Sequence, residues 1–188
     1  MQASAKDITD QEILSLLQTD QSAEKGFRML MQKYQERLYW HIRRMVTEHD
    51  DANDVIQNTF IKVFKSIKRF EGKSQLYTWL YRIATNEAIT FLNKRKKKQT
   101  ESLDNEESGR INTLKSDPYF DGDHAILLLQ EALEQLPEKQ KKVFNLRYFD
   151  EMSYKEMSDV LDTSVGALKA SFHHALKKVQ AYLKEQSE

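Results

Sequence analysis

The chain has 188 residues, a formal net charge of zero and no cysteine. That length holds one domain of ordinary size or two small ones, and the missing thiols exclude disulfides and thiolate metal centres. No apolar run approaches the roughly 20 residues of a membrane span, and the opening MQASAKDITDQEIL lacks the basic-then-apolar layout of a signal peptide. A cytoplasmic protein with no membrane insertion is therefore expected. Hydrophobic residues make up 39% of the chain, enough for small cores rather than one large one. Of its five glycines and two prolines, Gly109, Pro118 and Gly122 fall close together near the middle, which predicts helices on either side of a central linker.

The neutral total hides a segregation. Lys62–Lys98 carries eleven basic residues against Glu71 and Glu87, a net +9, whereas Gln99–His124 carries seven acidic residues against two basic ones, a net −5. A basic block beside an acidic one fits nucleic-acid contact next to a self-shielding or partner-facing tether, so neutrality of the whole does not exclude DNA binding.

A short helix is predicted over residues 8–19, with Ile13, Leu14 and Leu17 apolar. A longer one covers Phe27–Val46, where Phe27, Leu30, Tyr34, Leu38, Ile42 and Met45 recur at helical spacing. The next helix is expected from about Asp51 to Lys68. Ile56, Phe60, Val63, Phe64 and Ile67 share one face, and Asp51, Asp54, Asn58, Ile61 and Lys65 lie roughly opposite. Carboxylates in the first turn suit the helix dipole, which alone can account for them; the functional alternative is a docking surface for a basic partner helix.

Arg69–Thr78 contains Gly72 and is expected to be a loop. A helix from about Thr78 to Lys94 follows, with Leu80, Ile83, Ala84, Ala88 and Phe91 inward and Trp79, Arg82, Asn86 and Asn93 on another side. Phe60–Lys98 is thus basic and aromatic at once. Such a pattern is either a helical core with a solvated basic face or a surface for single-stranded nucleic acid, where cations follow phosphates and rings stack on unpaired bases. The terminal Lys94–Lys98 run is a solvated end or a phosphate grip that reads no sequence. Residues 99–123 are polar, acidic and without apolar periodicity, as in an extended linker.

From residue 124 onward, helices are predicted over Ala125–Leu136 and Pro137–Tyr148, the second opened by its proline. Ser153-Tyr154-Lys155-Glu156 matches a capping box and starts a short helix through Leu161. Asp162-Thr163-Ser164 is a tight turn in which Asp162 tolerates left-handed geometry, and Thr163 or Ser164 caps a last helix to about Leu183. Helix, three-residue turn, helix is the helix-turn-helix layout. In the last helix Val165, Leu168, Phe172, Leu176, Val179 and Leu183 form the apolar stripe. The other side carries Gly166, Ala167, Ala170, Ser171, His174 and Lys178, flanked by Lys169, His173 and Lys177, with no acidic residue from Ser164 to Lys184. Small residues at the front allow close entry into a major groove, and polar and basic ones behind reach base edges and phosphates; a plain three-helix bundle with a basic side is the alternative. His173 and His174 diverge by about 100° on a helix and do not suit one metal site. No metalloprotease pair, glycine-rich phosphate loop or nucleophile elbow is present, so no enzyme activity, cofactor or metal is expected.

Three segments, in order, resemble an extracytoplasmic-function (ECF) RNA polymerase sigma factor of the sigma-seventy superfamily. DDANDVIQNTFIKVFKSI is similar to its polymerase-binding helix. RFEGKSQLYTWLYRIATNEAITFLNKRKK, with the specific string TWLYRIATN, is similar to its promoter-melting segment. LPEKQKKVFNLRYFDEMSYKEMSDVLDTSVGALKASFHHALKKV is similar to its helix-turn-helix. The resemblance implies an all-α fold with a region-2-like domain over residues 1–98, a linker over 99–123 and a region-4-like domain over 124–188. It implies that Asp51, Asp54, Gln57 and Asn58 dock on a coiled coil of the largest polymerase subunit. Lys73, Ser74, Gln75 and Leu76, in a loop that captures a flipped base, would bind the opened minus-ten strand together with Tyr77, Trp79, Arg82 and Asn86. Lys155, Lys169, Ala170, Ser171, His173, His174 and Lys177 would face the minus-thirty-five duplex. The implied partners are core RNA polymerase, through that coiled coil and the flap region, promoter DNA and an anti-sigma factor. Many relatives carry Arg where Ser171 and His174 stand, and Gln75-Leu76 replaces a small residue and an aromatic in the capture loop. The competing functional reading is a stand-alone helix-turn-helix regulator.

Overall fold

A computed structural model of the protein describes residues 8–46, 48–101 and 124–186. Every regular element among them is helical, in agreement with the all-α expectation. The chain divides into two compact units, Met1–Val46 with Asp50–Lys94, and Thr47–His49 with Arg95–Glu188.

The first unit begins with α1 (Asp10–Gln18), whose N-cap Thr9 forms a reciprocal capping box with Glu12. The Thr9 hydroxyl and backbone N–H both donate to the Glu12 carboxylate and hold its pKa below the ordinary value. Helix α2 (Asp20–Val46) starts a full two turns earlier than the apolar stripe alone predicts. The reason is Gly26: a Cβ there would stand 2.9 Å from Leu16 Cβ and 3.0 Å from Leu17 Cγ, so the polar opening turns of α2 pack directly on α1. Asp10 fixes the register of the pair, accepting from Lys33 Nζ at 2.7 Å and from the Tyr34 hydroxyl at 2.7 Å. Burial, with that hydrogen bond second, pushes the Tyr34 pKa up.

Helix α3 (His49–Ser66) and a 3₁₀ turn (Ile67–Arg69) follow. Ala52, Val55, Ile56, Phe60, Val63 and Ile67 are buried. Phe64, expected inward with them, is 57% exposed; it lies at the edge of the stripe and touches its neighbour Phe27 edge-on, with ring centroids 5.1 Å apart. Helix α4 runs from Leu76 to Glu101, two residues earlier and seven later than expected from the sequence. Leu80, Tyr81, Ala84 and Ala88 are buried along it, with Thr78 and Thr85.

In the second unit α5 (His124–Glu134) and α6 (Glu138–Tyr148) precede α7 (Tyr154–Leu161) and α8 (Val165–Glu185). Pro137 is the N-cap of α6, and its carbonyl accepts from Gln140 and Lys141 N–H. Ala132, Leu133, Leu136, Phe144, Ala175 and Val179 form the core, with Leu129, Phe172, Leu176 and Leu183 packed on its rim. Two residues assigned to apolar contacts stay largely at the surface. Val165 is 38% exposed, being the first residue of α8, and Tyr148 is 55% exposed although its ring stacks on Phe144. Residues 99–101 continue α4, and 102–123, the rest of the expected linker, lie outside the described residues.

Candidate nucleic-acid and polymerase interface

The acidic and amide residues singled out on α3 share one side of that helix. Asp54, Gln57 and Asn58 are exposed and Asp51 is half-buried. Ile61, 51% exposed, prolongs this side toward the C-terminus of the helix. Asp50 and Asp51 occupy the first turn, where the N-terminal dipole favours them. The arrangement is a shallow, negatively charged strip with an apolar end.

The loop between α3 and α4 spans residues 70–75. Gly72 there has φ +70°, a left-handed conformation that L side chains rarely adopt. Glu71 and Lys73 form an exposed ion pair beside it. Ser74 is half-buried and Gln75 exposed; the Gln75 carbonyl accepts from Trp79 N–H at 3.1 Å and so anchors the loop to the first turn of α4. Leu76 departs from its expected place. It is the first residue of α4 and only 2% exposed, so it belongs to the core.

On α4, Tyr77 and Trp79 are half-buried and Arg82 and Asn86 are exposed. The Trp79 ring rests against Phe70, with centroids 5.2 Å apart and planes tilted by 52°. Phe70, the first loop residue, is thus a third aromatic beside Tyr77 and Trp79, and periodicity could not place it because it lies outside any helix. Behind this strip His41 of α2 shares a hydrogen bond with the buried Thr85 hydroxyl at 2.9 Å and lies against the Tyr81 ring at 4.9 Å. Lys62 of α3 pairs with Glu87. These contacts hold α4 against α2 and α3 and leave Arg82 and Asn86 exposed. The lysines at 94, 96, 97 and 98 are exposed and, because α4 continues to Glu101, are carried on helix rather than beyond its end.

The second unit presents the helix-turn-helix. Ser153 and Glu156 form the expected capping box. Asp162, φ 49° and ψ 47°, closes α7 in the left-handed region. Ser164 is the cap of α8, accepting from Ala167 N–H, while Thr163 donates instead to the Leu161 carbonyl. Glu151 also has positive φ, at 54°, a feature its residue type did not suggest. Lys155, Lys169, Ala170, His173, His174 and Lys177 are exposed and Ser171 is half-buried. Gly166 has nothing within 4 Å of where its Cβ would stand. The face is therefore small at its front and polar or cationic behind, a shape that suits a groove.

Residues 30–98 match the family described as Sigma-70 region 2, and residues 126–179 match Sigma-70, region 4. The chain is 28% identical to the RNA polymerase sigma-H factor of Pseudomonas aeruginosa, over 93% of each chain. It is 29% identical to the ECF RNA polymerase sigma-E factor of Escherichia coli, over 93% of this chain and 94% of that one. Among solved structures, the sigma factor RpoE of Bartonella quintana, crystallised with the anti-sigma factor NepR, superposes with a TM-score of 0.74 at 24% identity, over 85% of this chain and 98% of that one. Both sigma-70 regions stand in one chain, in order: the protein belongs to the sigma-70 family and is an ECF RNA polymerase sigma factor.

Proposed function

We propose that the chain is a dissociable sigma subunit: it binds core RNA polymerase and directs promoter-specific transcription initiation. It performs no catalysis of its own and acts in the cytoplasm, where its polymerase is. The observation that carries this reading is the sequence of three surfaces along one chain: the acidic α3 strip, the aromatic and cationic strip of α4 with its loop, and the helix-turn-helix. A stand-alone regulator would use only the third.

In this reading Asp51, Asp54, Gln57 and Asn58 dock on a basic helical surface of the largest polymerase subunit, and the second unit engages the flap region. Lys169, Ala170, Ser171, His173 and His174, with Lys155 and Lys177 on the phosphates, address the minus-thirty-five element as duplex. Ser and His in place of bidentate Arg shift part of the selectivity from guanine contacts to groove shape. The loop of Lys73, Ser74 and Gln75 receives a base extruded from the minus-ten element. Tyr77 and Trp79 offer rings for stacking, and Arg82 and Asn86 hold the strand, while Leu76 supports the loop from within. Extrusion costs a few kcal/mol, and stacking of about 1–3 kcal/mol per base offsets it, so a rigid loop and a fixed ring lower the cost of opening. An anti-sigma factor, of the kind with which the Bartonella quintana protein was crystallised, holds the subunit away from polymerase by covering these surfaces.

The test is to mix the purified protein with core RNA polymerase and a promoter library and to sequence the run-off transcripts. Polymerase-dependent initiation at one shared promoter class is expected. Tight, specific duplex binding by the protein alone, without initiation, would contradict the reading. Asp54→Arg is expected to weaken core binding by at least tenfold with the fold intact; unchanged affinity removes the docking assignment.

A further inference from the structure

Tyr154 opens α7, stands outside the face assigned to DNA and is half-buried. Its ring nevertheless collects two cations from two other helices. Lys169 Nζ of α8 lies 5.7 Å from the ring centroid and Arg147 Cζ of α6 lies 5.4 Å from it. The ring itself is braced. Phe172 meets it edge-on at 6.5 Å, and Phe172 in turn stacks on the fully buried Phe144 at 5.8 Å. Arg147 is fixed independently, donating from Nη1 to the Met152 carbonyl at 2.9 Å. Among the described residues neither Arg147 nor Lys169 is in an ion pair, and Lys155 and Lys177 have no ring beneath them.

A carboxylate at this place would hold Lys169 by neutralising it and would compete with any phosphate. A ring holds the ammonium through its quadrupole and leaves the charge intact. It also restricts a long side chain before binding, so less rotamer freedom is lost when the lysine meets its ligand. We propose that Tyr154 is a positioning residue for duplex binding: its ring, braced by Phe172 and Arg147, pre-orders Lys169 of the recognition helix toward the DNA without reducing its charge. The proposal rests on the reading that α8 faces the promoter duplex.

The test uses the full chain in holoenzyme with a promoter found by transcript mapping, and measures closed-complex affinity. Tyr154→Leu is expected to weaken binding by about two- to fivefold, the effect of one exposed cation–ring contact, with the melting temperature of the free protein unchanged. Tyr154→Phe keeps the ring and should bind as the parent does. In a Lys169→Met background, Tyr154→Leu should cause no further loss. Equal losses from Tyr154→Phe and Tyr154→Leu would mean that the hydroxyl touches DNA directly and would overturn the proposal, as would losses from Tyr154→Leu and Lys169→Met that simply multiply. If Lys169→Met alone changes nothing, the assignment of Lys169 to the duplex fails and the proposal falls with it. If Lys169→Met weakens binding while Tyr154→Leu does not, the duplex reading survives and only the positioning role is lost.

Discussion

Gly72, in the loop before α4, and Gly166, at the front of α8, have equally open surroundings, with nothing within 4 Å of a hypothetical Cβ at either. They differ in backbone. Gly72 has φ +70°, so the loop itself requires a glycine. Gly166 lies in regular helix, where glycine costs about 0.5–1 kcal/mol relative to alanine, and nothing inside the protein requires it. The proposed function supplies a reason outside the chain, the close approach of a DNA groove to the front of α8. In the proposed function one region builds a shape to receive a base and the other clears a surface to enter a groove. The side chains follow the same division. Trp79 is half-buried and propped on Phe70, whereas Ala170, His173 and His174 stand exposed.

The strongest way to break this contrast is Trp79→Ala. Loss of a stacking ring worth about 1–3 kcal/mol should slow strand opening by about five- to 150-fold, while closed-complex affinity changes little. Permanganate reactivity of the opened strand and filter binding of the closed complex measure the two; an equal loss in both, or unfolding, assigns Trp79 to packing alone. Gly72→Ala should come next. Left-handed geometry costs a residue with a Cβ about 1–2 kcal/mol, so opening should fall by about five- to thirtyfold without any clash in the folded protein. Asn, which tolerates that region better, should recover part of the loss.

Gly166→Ala should act in opposite directions on the two quantities. It should stabilise α8 in the free protein by about 0.5–1 kcal/mol, seen as slower amide exchange, and weaken duplex binding by crowding the groove. Weaker binding without stabilisation would contradict the division between internal and external need. The smallest effect is expected in acid. Glu12 and Asp20 are held below their ordinary values of 4.5 and 3.8 by Thr9 and Lys68 respectively. A depressed folded pKa contributes stability above the unfolded value that is lost as pH falls through the folded one. Amide protection in α1, taken relative to the intrinsic exchange rate, should therefore fall below about pH 4, and Glu12→Gln should flatten that dependence; both groups are exposed, so the change is small.

Much of this was legible in the sequence, for identifiable reasons. Ser153–Glu156 and Asp162 are local devices, complete within four residues, and both are found as read. The stripes of α2 and α8 survive because 3.6-residue periodicity fixes relative direction along one helix. What periodicity does not fix is which neighbour covers the edge of a stripe. Phe64 and Val165 had the right phase and lie exposed, while Ala175 is fully buried where its size drew no notice. Leu76 was assigned to the loop because Gly72 signals one; the structure starts α4 at Leu76 and turns that side chain into the core. The pairing of Phe70 with Trp79 and the cations over Tyr154 are not legible in the sequence, because they depend on rings and cations of other elements.

The central claim is that α4 and its loop act on the opened strand, and α7 and α8 on the duplex. It is tested most directly by running Trp79→Ala and Lys169→Ala holoenzymes on one promoter in two forms, fully paired and with the minus-ten region pre-opened by mismatches. The account predicts that the pre-opened template restores most of the transcription lost by Trp79→Ala and little of that lost by Lys169→Ala. Equal rescue of both variants, or of neither, would contradict it.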